Sequence, residues 1–337
     1  MLSTPLAAAR CASRMAAAPA SGARLSIAPL RRAIPCRRPG ASGMPVVRAV
    51  ASTPTAPAAS NGSNGGAPAA APAPPPPLVP PPAAYERAVT MGVSKAGIDS
   101  VKILAMGVMA GIMIGFGAFL AASIGGACPG LAASNPGLQK IIYGAFGLPF
   151  GLLMVLVCGA ELFTGNTALV TAAVYEGKAT VRQLLKSWSV SYVGNLIGSL
   201  MLAYAVLQAG LFTATAAPVK MAVMKTSLTF TEAFFRGILC NFLVCIGIWQ
   251  ASASNSLPGK AIGVWFPISA FVALGLEHSV ANMFLIPMGI MLGAPVTWGS
   301  FFMNNLLPVT LGNTVGGAVF VATAYAFIFG KLGKKAE

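Results

Sequence analysis

Two long apolar stretches of this chain are interrupted in the same way. The first reads Gly159-Ala160-Glu161-Leu162-Phe163-Thr164-Gly165-Asn166, the second Gly275-Leu276-Glu277-His278-Ser279-Val280-Ala281-Asn282. Both have the form Gly-x-Glu-x-x-x-x-Asn, and each falls where a hydrophobic segment would otherwise continue. Matched defects of this kind in two halves of a membrane domain are the strongest sequence pointer to a site near the bilayer midplane. The second interruption also holds the single histidine of the 337 residues.

The membrane assignment rests on composition. The chain is 56% hydrophobic and 9% charged, against about 25% charged residues in soluble domains. A span takes roughly 20 apolar residues. On that measure six are expected, at about 103–125, 141–174, 188–212, 234–254, 261–292 and 303–330. The second and fifth carry the interruptions. A short interfacial segment, Trp298 to Leu307, is expected to open the sixth, ahead of Pro308.

The chain also repeats itself. Val193-Gly194-Asn195-Leu196-Ile197-Gly198 matches Leu311-Gly312-Asn313-Thr314-Val315-Gly316, 33 residues separating Glu161 from Gly194 and 35 separating Glu277 from Gly312. Segments 1–3 and 4–6 therefore read as two copies of one unit. Three spans is an odd number, so the copies are expected to lie in opposite orientations, an inverted 3+3 repeat with broken helices 2 and 5. Basic residues set the orientation. Ten (Arg87, Lys95, Lys102, Lys178, Arg182, Lys186, Lys260, Lys331, Lys334, Lys335) fall on the side of both termini, and four (Lys140, Lys220, Lys225, Arg236) on the other. Both termini are thus expected on the cytoplasm-like side.

The net charge of +15 does not indicate nucleic-acid binding, because much of it is concentrated ahead of the first acidic residue, Glu86. Residues 1–48 hold eight arginines and no acid; setting them aside leaves 14 of the 22 basic residues against 7 acidic ones. An acid-free segment rich in Arg, Ala and Ser has the composition of an organelle transit peptide. Its prolines (Pro19, Pro29, Pro35, Pro39) and weak amphipathic periodicity favour a chloroplast over a mitochondrial address. The domain plan is a transit peptide at 1–49, a disordered Ala/Pro-rich linker at 50–83, a six-helix domain at 84–331 and a tail at 332–337. Scattered cysteines and one histidine make no metal-ligand set, and no cofactor is expected.

An ionisable side chain at mid-bilayer is costly and is tolerated where it is paired or faces water. Glu161 and Glu277 are repeat mates. They are expected to share a structural task, accepting hydrogen bonds from backbone freed at each break, with direct substrate contact as the alternative. His278 breaks the symmetry, since its mate is Leu162, and can donate, accept or shuttle a proton. Thr164 is placed to face it, or to bond back to its own helix. Asn195 and Asn313 are expected to tie the half-helices, and Asn166 and Asn282 close the two motifs. The apolar Leu162, Phe163 and Phe271 near the breaks suit either a constriction or ordinary packing.

These motifs, together with Asn305-Leu306-Leu307-Pro308-Val309-Thr310-Leu311-Gly312-Asn313, resemble the formate/nitrite transporter family over residues 84–331. The resemblance implies an all-α, aquaporin-like protomer with its own pore, assembled as a homopentamer in the lipid bilayer and passing small monovalent weak-acid anions, with protons as possible co-substrates. It implies a central histidine at His278, a partner threonine at Thr164, a vestibule lysine at Lys225 and an asparagine at Asn241. It places constriction residues at Leu152, Leu162, Phe163 and Phe271. Where bacterial members can carry an outer-gate Phe, this chain has Leu148, with Phe150 nearby. Taken with the presequence, the chain looks like a green-algal inner-envelope member with stromal termini. Nitrite is the first substrate expected, with bicarbonate and formate as rivals. A neutral-solute channel is a distant alternative, weakened by Met283-Phe284 after Asn282 where an Asn-Pro-Ala would stand. An intramembrane hydrolase lacks a nucleophile facing a base, because neighbours on a helix such as His278 and Ser279 do not face each other. A purely structural scaffold leaves the asymmetric histidine unexplained.

Overall fold

A computed structural model of the chain describes residues 78–213 and 216–334. The presequence, and the linker as far as residue 77, lie outside the described residues. Apart from an isolated bridge between Leu78 and Ser254, all regular structure among the described residues is helical.

The chain enters through α1, Pro81–Gly97, so residues 81–83 belong to a helix and not to the expected linker. Prolines at the first helical positions suit such a start, because first-turn N–H groups have no intrahelical acceptor. Ala84, Tyr85, Ala88, Val89, Gly92 and Ala96 recur every three or four residues and form its buried face. Asp99 then accepts the Val101 N–H (2.8 Å) and caps α2, Ser100–Ile124.

The second apolar stretch forms three helices: α4, Pro136–Ala145; α5, Leu148–Cys158; and α6, Phe163–Tyr175, after a short α3, Pro129–Ser134. It is followed by α7, Val181–Gln208, started by a Thr180/Gln183 capping box. The second half comprises α8, Ala217–Thr226; α9, Phe230–Ala253; α10, Leu257–Ala273; α11, Ser279–Met291; and a long helix α12, Trp298–Phe329.

Among the described residues five helical segments are long and apolar enough to cross a membrane, and α10 and α11 are shorter apolar helices. The fifth expected span is thus divided into two pieces, each too short alone. Both interruptions turn on a glycine in the left-handed region, Gly159 (φ 76°) and Gly275 (φ 72°), which side-chain-bearing residues rarely adopt. The expected interfacial segment before Pro308 is not separate. α12 runs through it, with π-helical turns at Phe301–Leu306 and Val315–Thr323. A wider turn just ahead of a proline accommodates the missing N–H without ending the helix.

The two halves pack alike. A Cβ on Gly107 of α2 would stand 3.2 Å from Gly194 Cα of α7, and one on Gly237 of α9 would stand 3.2 Å from Gly312 Cα of α12. Small residues at these crossings let the backbones nearly touch, as dense packing between membrane helices requires.

Candidate functional site

Each helix break exposes backbone groups that have lost their helical partners, and one asparagine per half satisfies them. Asn195 of α7 donates through Nδ2 to Gly107 O and Glu161 O (both 2.9 Å) and accepts the Phe163 N–H at Oδ1 (2.9 Å). Asn313 of α12 donates to Gly237 O (2.8 Å) and Glu277 O (3.0 Å) and accepts the Ser279 N–H (2.9 Å). Each side chain thereby holds a neighbouring helix, the broken strand of backbone and the first turn of the next half-helix.

The glutamates are paired. Glu161 accepts from Lys95 Nζ (2.6 Å) and Asn166 Nδ2 (2.7 Å), and Glu277 from Lys225 Nζ (2.8 Å), Asn282 Nδ2 (2.7 Å) and Asn305 Nδ2 (3.1 Å). The carboxylate side chains are 2% and 4% exposed, so both charges are kept by their partners and not by water. Lys225 is buried with the lysine implied by the resemblance already neutralised by Glu277. Lys95, its counterpart in the first half, was not singled out from the sequence. It lies 66 residues before its glutamate, whereas Lys225 lies 52 before its own, so no shared spacing announced it.

The two half-helices that start at the breaks have matched caps of different chemistry. Leu162 is the N-cap of α6 and makes no side-chain cap bond; His278 is the N-cap of α11 and accepts the Ala281 N–H at Nδ1 (3.1 Å). Its other nitrogen, Nε2, is 3.1 Å from Thr164 Oγ1, and both side chains are buried. A nitrogen that accepts an N–H bond carries a lone pair, so the neutral ring has its proton on Nε2 and donates to Thr164. The threonine hydroxyl hydrogen is then available for another acceptor. Asn241 of α9 supports this point from behind, donating to Thr164 O (3.2 Å), Thr167 Oγ1 (2.9 Å) and Asn313 O (2.6 Å).

His278 lines a cavity of only about 10 Å3, together with Ile114, Leu148, Leu152, Leu162, Val244, Ile268 and Phe271. The Phe271 ring stacks on the imidazole, centroids 5.8 Å apart and planes 15° off parallel. The void has room for about one water and a wall that is otherwise apolar. Leu152, Leu162 and Phe271 thus meet around the histidine. Phe163 does not line this cavity. Its ring packs edge-on against Tyr192 (5.0 Å) and Trp188 (6.5 Å) of α7, because the chain turns into α6 between Leu162 and Phe163 and directs successive side chains apart. Leu148 contributes to the wall, whereas Phe150 is exposed. Ile114, Val244 and Ile268 complete it. Nothing in the sequence separates them from the other apolar residues of their spans.

The sequence profile of the formate/nitrite transporter family matches residues 82–327. The "Probable formate transporter" of Methanothermobacter thermautotrophicus is 42% identical over 248 residues, covering 68% of this chain and 89% of that protein. The formate channel FocA of Escherichia coli K12 is 34% identical over 264 residues, covering 71% and 90%. Among solved structures, an "FNT family ion channel" superposes with a TM-score of 0.67 at 30% identity, covering 73% of this chain and 98% of that one. A "Pentameric formate channel with formate bound" gives 0.62 at 33%, covering 69% and 98%.

Proposed function

Because the chain belongs to the formate/nitrite transporter family, and is therefore a membrane transport protein and not an enzyme, we propose that it passes small monovalent weak-acid anions, nitrite first, along a route through the His278 cavity. The observation that carries this reading is the Thr164–His278 contact at the single polar point of an otherwise apolar constriction. A bare anion in such a wall loses its hydration. The Thr164 hydroxyl hydrogen, left free by the His278 Nε2–H bond, offsets part of that loss.

The geometry also constrains how a proton could pass. In the bonded arrangement Nδ1 accepts the Ala281 N–H and the Nε2–H donates to Thr164, so the neutral ring meets an anion through the threonine hydroxyl. Handing that proton on requires a second proton at Nδ1, which in turn requires the cap to open. A relay through His278 is accordingly coupled to movement at the start of α11.

The six-span inverted topology is supported by the paired breaks and by the equal roles of Asn195 and Asn313. A homopentamer is supported by the pentameric neighbour at 33% identity. The inner chloroplast envelope, with stromal termini, is supported by the composition of residues 1–48 and the bias of basic residues. Formate is the second substrate reading, favoured by the names of the relatives at 42% and 34% identity.

The test is uptake of isotopically labelled nitrite and formate into proteoliposomes holding the full chain, for wild type and His278→Asn, over about pH 5–8. Asparagine keeps a capping oxygen and removes the Nε2 donor. Saturable nitrite uptake exceeding that of formate, losing its pH dependence in the variant, supports the proposal. Faster formate uptake reverses the substrate order. Absence of anion uptake by wild type rejects the reading altogether.

A further inference from the structure

We propose that Arg87 and Lys260 form an anion-capture site at the mouth of the pathway on the α1 side, binding a small oxyanion before it enters the constriction. The inference rests on the anion-transport reading above and adds to it the place where charge selection begins on one face.

A cavity of about 390 Å3 is lined by Arg87 and Thr90 of α1, Leu156 of α5, Ile248 and Ser252 of α9, and Lys260 of α10, among others. Two of its apolar residues continue helix faces that wall the constriction. Leu156 and Ile248 each lie four residues beyond a constriction residue, Leu152 and Val244, so they share a helix face with it one turn further on. The volume accommodates about a dozen waters, enough for a hydrated anion to rest beside a void that holds one.

The charge balance separates this cavity from the rest of the pathway. Lys95 and Lys225 are each bound to a buried glutamate and present little net charge. Among the described residues no carboxylate lines the larger cavity, and neither Arg87 nor Lys260 makes a salt bridge. Arg87 is held in place, donating through Nη1 to Ser252 O (3.1 Å) and Asn255 Oδ1 (2.9 Å). Lys260 Nζ makes no hydrogen bond among the described residues, which leaves a full ammonium charge facing the cavity. Lys260 lies in the first turn of α10, whose N-terminus adds partial positive charge. A concave site with one sign of charge and partly apolar walls concentrates the opposite ion. The site lies at the C-terminal end of α9, whereas Glu277, the partner of Lys225, bonds through its N–H to Arg236 O near the N-terminal end. The Arg/Lys couple therefore stands apart from the neutralised Lys225–Glu277 pair, at the other end of α9.

The test uses full-length wild type, Lys260→Gln and Lys260→Arg, with two readouts. The first is nitrite or formate entry into oriented proteoliposomes, from each face separately. The KM for entry from the α1 face should rise about three- to ten-fold in Lys260→Gln, with the maximal rate kept within about two-fold. Entry from the opposite face should be unchanged, and Lys260→Arg should restore the wild-type KM. The second is line broadening of 13C-formate by the protein in detergent, expected for wild type and Lys260→Arg and lost in Lys260→Gln. An unchanged KM from both faces together with unchanged broadening overturns the site, as does absence of any broadening by wild type. Lys260-dependent broadening without transport would retain the site and reject the transport reading. Transport that ignores Lys260 would do the reverse.

Discussion

His278 Nε2 and Thr164 Oγ1 lie 3.1 Å apart although 114 residues separate them in the chain. The contact joins the first turns of α6 and α11, the half-helices that start at the two breaks. It is the one direct side-chain bond between the otherwise matched motifs, and it exists because a histidine stands in the second motif where the first has leucine.

Removing the threonine hydroxyl should leave the buried Nε2–H without a partner. Thr164→Val is expected to destabilise the protein by about 1–3 kcal/mol and to slow anion uptake, while Thr164→Ser retains both properties. Thermal unfolding in detergent and liposome uptake, measured on the same preparations, check the pair.

His278 has two tasks, and two variants separate them. His278→Asn preserves a side-chain acceptor for the Ala281 N–H, whereas His278→Ala removes cap and donor together. The alanine variant should be less stable than the asparagine variant by about 1 kcal/mol. Equal melting temperatures would show that the cap contributes nothing.

The buried lysine–glutamate pairs should behave as units. Lys225→Met leaves Glu277 buried without its cation and is expected to lose about 3–5 kcal/mol. Adding Glu277→Gln should recover a large part of that loss. Lys95→Met and Glu161→Gln should show the same pattern. Double-mutant cycles on melting temperature or denaturant midpoint measure the coupling.

A clasp outside the membrane-spanning segments carries a pH dependence. Glu176 accepts from Tyr85 Oη (2.7 Å) and from the Lys331 backbone N–H (2.9 Å), joining α1, the turn after α6 and the C-terminal segment. Burial pushes its carboxyl upward, but the Tyr85 hydroxyl, the Lys331 N–H and the charges of Lys331 and Lys178 outweigh this and leave it below the ordinary carboxylate value. A lowered folded-state pKa stabilises the clasp above the unfolded value, and that contribution is lost as pH falls through the folded one. The protection factor of the Lys331 amide, taken relative to its intrinsic exchange rate at each pH, should therefore fall on acidification below about pH 4. Glu176→Gln should already exchange faster at neutral pH.

The helix crossings should tolerate no added methyl. A Cβ on Gly198 would collide with Val108 O of α2, and one on Gly312 with Phe234 O of α9, whereas Gly130 has nothing within 4 Å. Gly198→Ala and Gly312→Ala are expected to cost about 1–3 kcal/mol each, with Gly130→Ala near neutral. Yield of folded protein in detergent and melting temperature distinguish them.

Much of this arrangement can be read from residue order alone, since the breaks, the repeat and the histidine's asymmetry are all local patterns. Gly159 and Gly275 mark turns that only a left-handed residue makes, and Asn195 and Asn313 recur in matching surroundings. What escaped was set by tertiary geometry. Lys225 carries the same formal charge in any reading of the sequence, and only its 2.8 Å approach to Glu277 shows that charge to be neutralised. Phe163 and Leu162 are adjacent apolar residues, and the turn into α6 decides which one faces the cavity. Lys260 counted only towards orientation, because its exposure to the cavity depends on how α10 packs on α9. The amphipathic period of α1, from Ala84 to Ala96, was legible in principle but lay beside a proline-rich stretch that masked its start.

Asn195 and Asn313 give each break the same cradle, whichever side chain occupies the capping position. A duplicated framework of this kind separates architecture from chemistry. One copy can keep a hydrophobic plug at Leu162 while the other carries a reactive group at 278, which in addition caps the half-helix it begins.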